Sequence, residues 1–95
     1  MAEQYLRTAI ELRPDYFDAY KWLDYTLMNR KDWDTILALW DQYLTLKPDD
    51  AEAYFERAGT YYHKKDMVNH HMNDLRKACS LGHKKACQRL KKSNL

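Results

Sequence analysis

The chain has 95 residues, 45% hydrophobic and 32% charged, which is ordinary for one small folded helical domain. No apolar run approaches the ~18 residues that a membrane-spanning helix needs, and the opening MAEQYLRTAI carries charge at positions 3 and 7 and lacks the apolar region of a signal peptide. The net charge of +2 hides an uneven distribution: residues 1–60 hold twelve acidic and seven basic side chains, and residues 61–95 hold two and nine.

With two glycines and two prolines, the pattern predicts helix almost throughout. The first helix, over 2–13, sets Tyr5, Leu6, Ala9 and Ile10 at helical spacing. The second, over 16–30, follows Pro14-Asp15, with Asp15 placed to cap free backbone N–H groups. The third, over 33–46, is capped by Asp32 and carries a wide stripe of Trp33, Ile36, Leu37, Trp40, Tyr43 and Leu44. A fourth helix, over 51–64, follows Pro48-Asp49-Asp50, where Asp49 and Glu52 have the spacing of a capping box. The fifth, over 67–81, starts at Asp66, packs Val68, Met72, Leu75, Ala78 and Cys79, and stops at Gly82. The last, over 84–93, offers only Ala86, Cys87 and Leu90 as an apolar face, which suits a terminal helix with one side in water.

The chain repeats itself. Pro14 and Pro48 stand 34 residues apart, and so do Leu12 and Leu46, Asp15 and Asp49, Ala19 and Ala53, Tyr20 and Tyr54, Lys31 and Lys65, and Asp32 and Asp66. Thirty-four residues is the period of the tetratricopeptide repeat, and the sequence resembles that family. Tyr20 takes the aromatic slot of the motif, Leu23 the leucine, Leu27 the tyrosine, Ile36 the alanine and Trp40 the phenylalanine, and Pro48 closes the unit. Asp24 replaces the usual glycine. Tyr54, Arg57, Ala58 and Tyr61 open the next repeat, whose later half fits with one extra residue, so that His71 and Leu75 take the alanine and phenylalanine places.

The resemblance implies an all-α fold: one tetratricopeptide-like domain over 1–95, an antiparallel helix-pair superhelix of about six helices. Segment 1–14 reads as the second helix of a partial repeat, 17–50 as a full repeat, 51–83 as a full, slightly irregular one, and 84–95 as a capping helix. It also implies a concave groove for a peptide or partner helix, lined by Lys21, Tyr25, Met28 and Asn29 from one repeat and Phe55, Tyr62 and His63 from the next. Family members that grip chaperone tails need asparagine where Tyr25 and Gly59 stand, so that partner is not implied. The first helix presents Tyr5, Ala9 and Leu12 with no preceding helix in the chain, and two readings stay open: a longer parent array covers this face, or a second copy does.

The segment ACSLGHKKAC is similar to secreted bacterial cysteine-rich helical repeat proteins, which implies a bridge between Cys79 and Cys87 across consecutive helices. The alternative is two small buried thiols in a reducing cytoplasm. A bridge places the chain in the periplasm or outside the cell; free thiols place it in the cytoplasm. Adjacent His70 and His71 point apart on a helix, so His63, His70, His71 and His83 supply no metal pair, and His71 reads as a core histidine. No cofactor is expected. Ser80 and Ser93 have no placed base, and Gly59 and Gly82 form no phosphate loop, so an enzyme is not expected. Lys84, Lys85, Arg89, Lys91 and Lys92 read as a solvated terminal face, because no nucleic-acid motif stands beside them.

Overall fold

The computed structural model describes residues 2–64 and 66–93. Lys65, paired with Lys31 by the repeat, and the last two positions of the 84–95 segment lie outside the described residues. Among the described residues six helices follow one another: α1 (Ala2–Leu12), α2 (Phe17–Met28), α3 (Trp33–Leu46), α4 (Ala51–Tyr62), α5 (Val68–Ser80) and α6 (Lys84–Ser93). Among the described residues there is no strand. The chain forms two compact units, Met1–Pro48 with α1 to α3 and Asp49–Leu95 with α4 to α6. In the first, α2 packs against both α1 and α3; in the second, α5 packs against both α4 and α6. The tight turns between partners make each pair antiparallel. The extra residue of the second repeat falls in a turn: residues 29–32 join α2 to α3, whereas residues 63–67 join α4 to α5.

The helix ends follow local chemistry, with two corrections to the expected caps. Asp32 caps α3 through Oδ1, which accepts from the Thr35 N–H at 3.4 Å. At α4 the cap is Asp50 rather than Asp49; its Oδ1 accepts from the N–H groups of Glu52 at 3.0 Å and Ala53 at 3.3 Å. At α2 and α5 the residues before the helix are Tyr16 and Met67, and neither makes a side-chain cap, so Asp15 does not cap α2. Gly82 does end α5, with φ +98°. The Gly82 N–H bonds to Cys79 O at 2.9 Å and the His83 N–H to Ala78 O at 3.0 Å. This paired closure satisfies the last carbonyls and needs left-handed backbone at its glycine. After α2 the same closure runs through Lys31, at φ 57°, with the Asp32 N–H on Leu27 O at 3.2 Å.

The first unit has an aromatic core. Tyr20, Leu23, Leu27, Ile36 and Trp40, the five residues in the motif slots of the first repeat, are all fully buried. Phe17, Tyr20, Trp40 and Tyr43 form a cluster with ring centroids 5.0–5.9 Å apart, close enough to add to the burial itself. Tyr20 keeps its hydroxyl satisfied by donating to Pro14 O at 2.7 Å and accepting from Gln42 Nε2 at 3.2 Å. Glu3 ties α1 to the end of α2, accepting from Arg30 at 2.8 Å and from Arg7 at 3.1 Å. Those two guanidinium groups, Arg30 first, hold its carboxyl below the usual range. On α1, Ile10 enters the core, whereas Tyr5 is exposed.

The second unit buries smaller side chains. Ala58, Leu75, Ala78 and Ala86 form its centre, with Tyr54, Phe55, Met72, Cys79 and Leu90 partly buried around it. Val68, expected in the stripe of α5, is exposed. Two covalent or ionic ties supplement this lean core. Cys79 and Cys87 form a disulfide with Cα atoms 4.8 Å apart, joining α5 to α6. Arg57 on α4 donates from Nε and Nη2 to the two carboxylate oxygens of Asp74 on α5, at 2.8 and 2.9 Å. A fork-to-carboxylate pair of this kind is both strong and directional.

Candidate functional site

Residues 21, 25, 28 and 29 fall on one face of α2 by helical spacing, because 19, 20, 23 and 27 are taken into the core. Tyr25 and Met28 are part-exposed, Asn29 is exposed and Lys21 is half-buried. Beside them stands Trp22, 59% exposed, its ring edge-on to Tyr25 at 5.8 Å. Sequence reasoning left Trp22 out of every site. The signal was available: Trp22 lies outside the buried register of α2 and three residues before Tyr25, the spacing at which helical side chains meet.

Trp22 also borders an open, mainly apolar pocket of about 520 Å³ between α1 and α2, lined by Ala2, Tyr5, Leu6, Trp22 and Thr26. Tyr5 and Leu12 of α1 are 75% and 78% exposed, and Ala9 is half-buried. The first unit thus carries apolar and aromatic surface on two neighbouring helices.

In the second unit the structure separates the expected groove residues. Tyr62 and His63, at the end of α4, are exposed. Phe55 is half-buried: its ring stacks on His83 with centroids 4.2 Å apart, and the Arg89 guanidinium lies 5.1 Å from its centroid. Phe55 is therefore occupied by α6 and its approach. His83 also contacts the Glu52 carboxylate at 3.1 Å. Gly59 has open space where a Cβ would stand, so no close helix approach depends on it.

His71 lies in the stripe expected of it, half-buried on α5, with Nδ1 2.7 Å from Ala58 O. A carbonyl only accepts, so Nδ1 carries the proton. Among the described residues, no three His, Cys, Asp or Glu side chains are arranged to hold a metal ion.

Asp24, at the repeat's glycine position, is 1% exposed and accepts a 2.7 Å hydrogen bond from Trp40 Nε1. Its other oxygen, Oδ1, has no partner among the described residues. Burial pushes the carboxyl pKa up, and the indole donor offsets only part of that. Where a glycine would bring two helices close, a hydrogen bond joins α2 to α3 instead.

These antiparallel helix pairs define an all-α, tetratricopeptide-like fold. No family model matches the chain. No curated protein sequence matches it significantly. Among solved structures it is similar to MamA, residues 41 to the end, from Desulfovibrio magneticus RS-1, with a TM-score of 0.68 and 19% identity over 95% of this chain. It is likewise similar to the MamA RS-1 ArsTM double mutant, with a TM-score of 0.67 and 19% identity over 95% of this chain. The chain spans 61% of the length of each of those chains. At this identity the likeness is one of fold.

Proposed function

We propose that the chain is a non-catalytic protein-interaction module that holds a peptide or partner helix by apolar anchors on its first unit. The observation that carries this reading is the exposed run of Trp22, Tyr25 and Met28 along α2, beside the apolar pocket that Trp22 and Tyr5 border. Large aromatic side chains left in water at neighbouring positions are typical of interface anchors. Lys21, on the same face, supplies a charge to orient the bound segment. The tetratricopeptide-like fold supports the reading, since helix-pair repeats present extended surfaces of this kind.

The test selects peptides against the intact chain by display and measures their affinity for wild type and for a Trp22→Ala, Tyr25→Ala double variant of unchanged helicity. Loss of about tenfold or more in affinity is the expected outcome, in line with truncated aromatic anchors. Peptides that bind both proteins equally would show that α2 is not the binding face.

A second reading is favoured by Tyr5 and Leu12, whose exposure on α1 suits association with a further repeat or a second copy of the chain. Under it, sedimentation shows a dimer or larger species that Tyr5→Asp disperses; a monomer at high concentration rules it out. The Cys79–Cys87 bridge supports an oxidising compartment, periplasmic or secreted. Chain recovered from its own cell without reductant should resist alkylation at both cysteines, and two alkylated thiols would place it in the cytoplasm.

A further inference from the structure

We infer that the second unit holds a binding site for an oxyanion, the carboxylate or phosphate head of a ligand with an apolar stem. The site is an open pocket of about 310 Å³ lined by Tyr62, His71, Leu75, Arg89 and Lys92. It is built from residues of the second unit alone, and the α2 surface from residues of the first, so either proposal stands if the other fails.

Three helices contribute, and each contribution has a local cause. Tyr62 is the last residue of α4, and its ring lies 5.5 Å from that of His71 on α5. Leu75, one turn after His71, is 1% exposed and forms the apolar floor. Arg89 and Lys92 stand three residues apart on α6, so they share a side of that helix. The disulfide ties the first turn of α6 to the last turn of α5. Arg89 rests over the Phe55 ring, and the Nδ1–H of His71 is fixed on Ala58 O. Two lining side chains are therefore positioned in advance, which lowers the ordering cost of binding.

The electrostatics favour an anion. The second unit carries ten basic and six acidic side chains, and Asp74, one of those six, is already held by both arms of Arg57. A guanidinium fork matches the paired oxygens of a carboxylate or phosphate, and a lysine adds a point charge. Leu75 and the rings of Tyr62 and His71 would receive the apolar stem, as in sites where a few polar groups orient a mostly apolar ligand.

The experiment follows amide and ring signals of the whole chain by NMR during titration with inorganic phosphate, phenyl phosphate or 3-phenylpropionate at constant ionic strength. Saturable shifts at Tyr62, His71 and Leu75 are expected. Lys92→Gln on the exposed last turn, and separately Arg89→Gln, should weaken them by about tenfold, the usual weight of one charged hydrogen bond. Lys91→Gln removes an equal charge from the side of α6 opposite Arg89 and should leave affinity within about twofold. Tighter binding of phenyl phosphate than of phenylpropionate identifies a phosphate head, and the reverse a carboxylate. No saturation with any probe, or equal loss in Lys91→Gln, overturns the site in favour of diffuse attraction. Equal affinity for phenyl phosphate and inorganic phosphate overturns the apolar stem.

Discussion

Burial raises the pKa of Asp24 because its carboxylate loses water inside the first unit and gains one donor, Trp40 Nε1. The folded chain then holds this proton more tightly than the unfolded chain does. The resulting stabilisation is complete below the unfolded carboxyl pKa, about 3.9, and is lost as pH rises through the raised folded value. At neutral pH, a charged Asp24 therefore works against folding. Asp24→Asn keeps an acceptor for Trp40 and removes the charge, so it should stabilise by on the order of 1 kcal/mol at pH 7. Thermal melts should show the gain shrinking toward pH 4, and an unchanged or lower Tm at pH 7 would contradict the account. Asp24→Gly, the residue typical of the motif, should instead cost about 2 kcal/mol, because it leaves a buried indole N–H without its acceptor. The aspartate at position 24 was legible in the sequence as a departure from the motif. Its partner was not, since Trp40 comes beside it only when α2 and α3 pack.

The elements themselves were largely legible, because apolar period, Pro and Gly act locally. Each helix forms within two residues of its expected ends. The caps were less so, because which aspartate faces the free N–H groups depends on backbone angles that several nearby residues can satisfy. Asp49 and Asp50 are neighbours, and only Asp50, at φ −83° and ψ 103°, turns its side chain onto the helix end. Asp50→Ala should therefore destabilise by about 1 kcal/mol, and Asp49→Ala by much less. Denaturant midpoints separate the two, and equal effects would return the cap to Asp49. Glycine at position 31 tests the left-handed closure after α2. Lys31→Gly should stabilise by up to about 1 kcal/mol, because it removes the Cβ clash at positive φ. A loss of stability would show that the Lys31 side chain matters more than its backbone.

At the scale of the whole molecule, the two units share helix-pair architecture and differ in what holds them. Aromatic rings fill the first; alanines, Leu75, an ion pair and a disulfide hold the second. A bridge closing so short a loop contributes about 2–3 kcal/mol in the chain-entropy picture. Reduction, or Cys79→Ser with Cys87→Ser, should speed amide exchange in α6 by about a hundredfold, the equivalent of that energy. Exchange unaffected by reduction would mean that Ala86 and Leu90 hold α6 without the bridge.

The sequence by itself determined the helical class, the 34-residue period, the positions of the turns and the residues that fill the first core. All of these rest on local conformational preference and on apolar spacing, which one strand of text carries in full. Only the tertiary structure decided the approach of Cys79 to Cys87, the burial of Asp24 against Trp40, the occupation of Phe55 by His83, and the exposure of Trp22. Tertiary packing alone also gathered Tyr62, His71, Leu75, Arg89 and Lys92 into one pocket. Each depends on which helix faces meet. Residues as far apart in the chain as Tyr62 and Lys92 become neighbours only when their helices pack, and no period in the sequence records that distance.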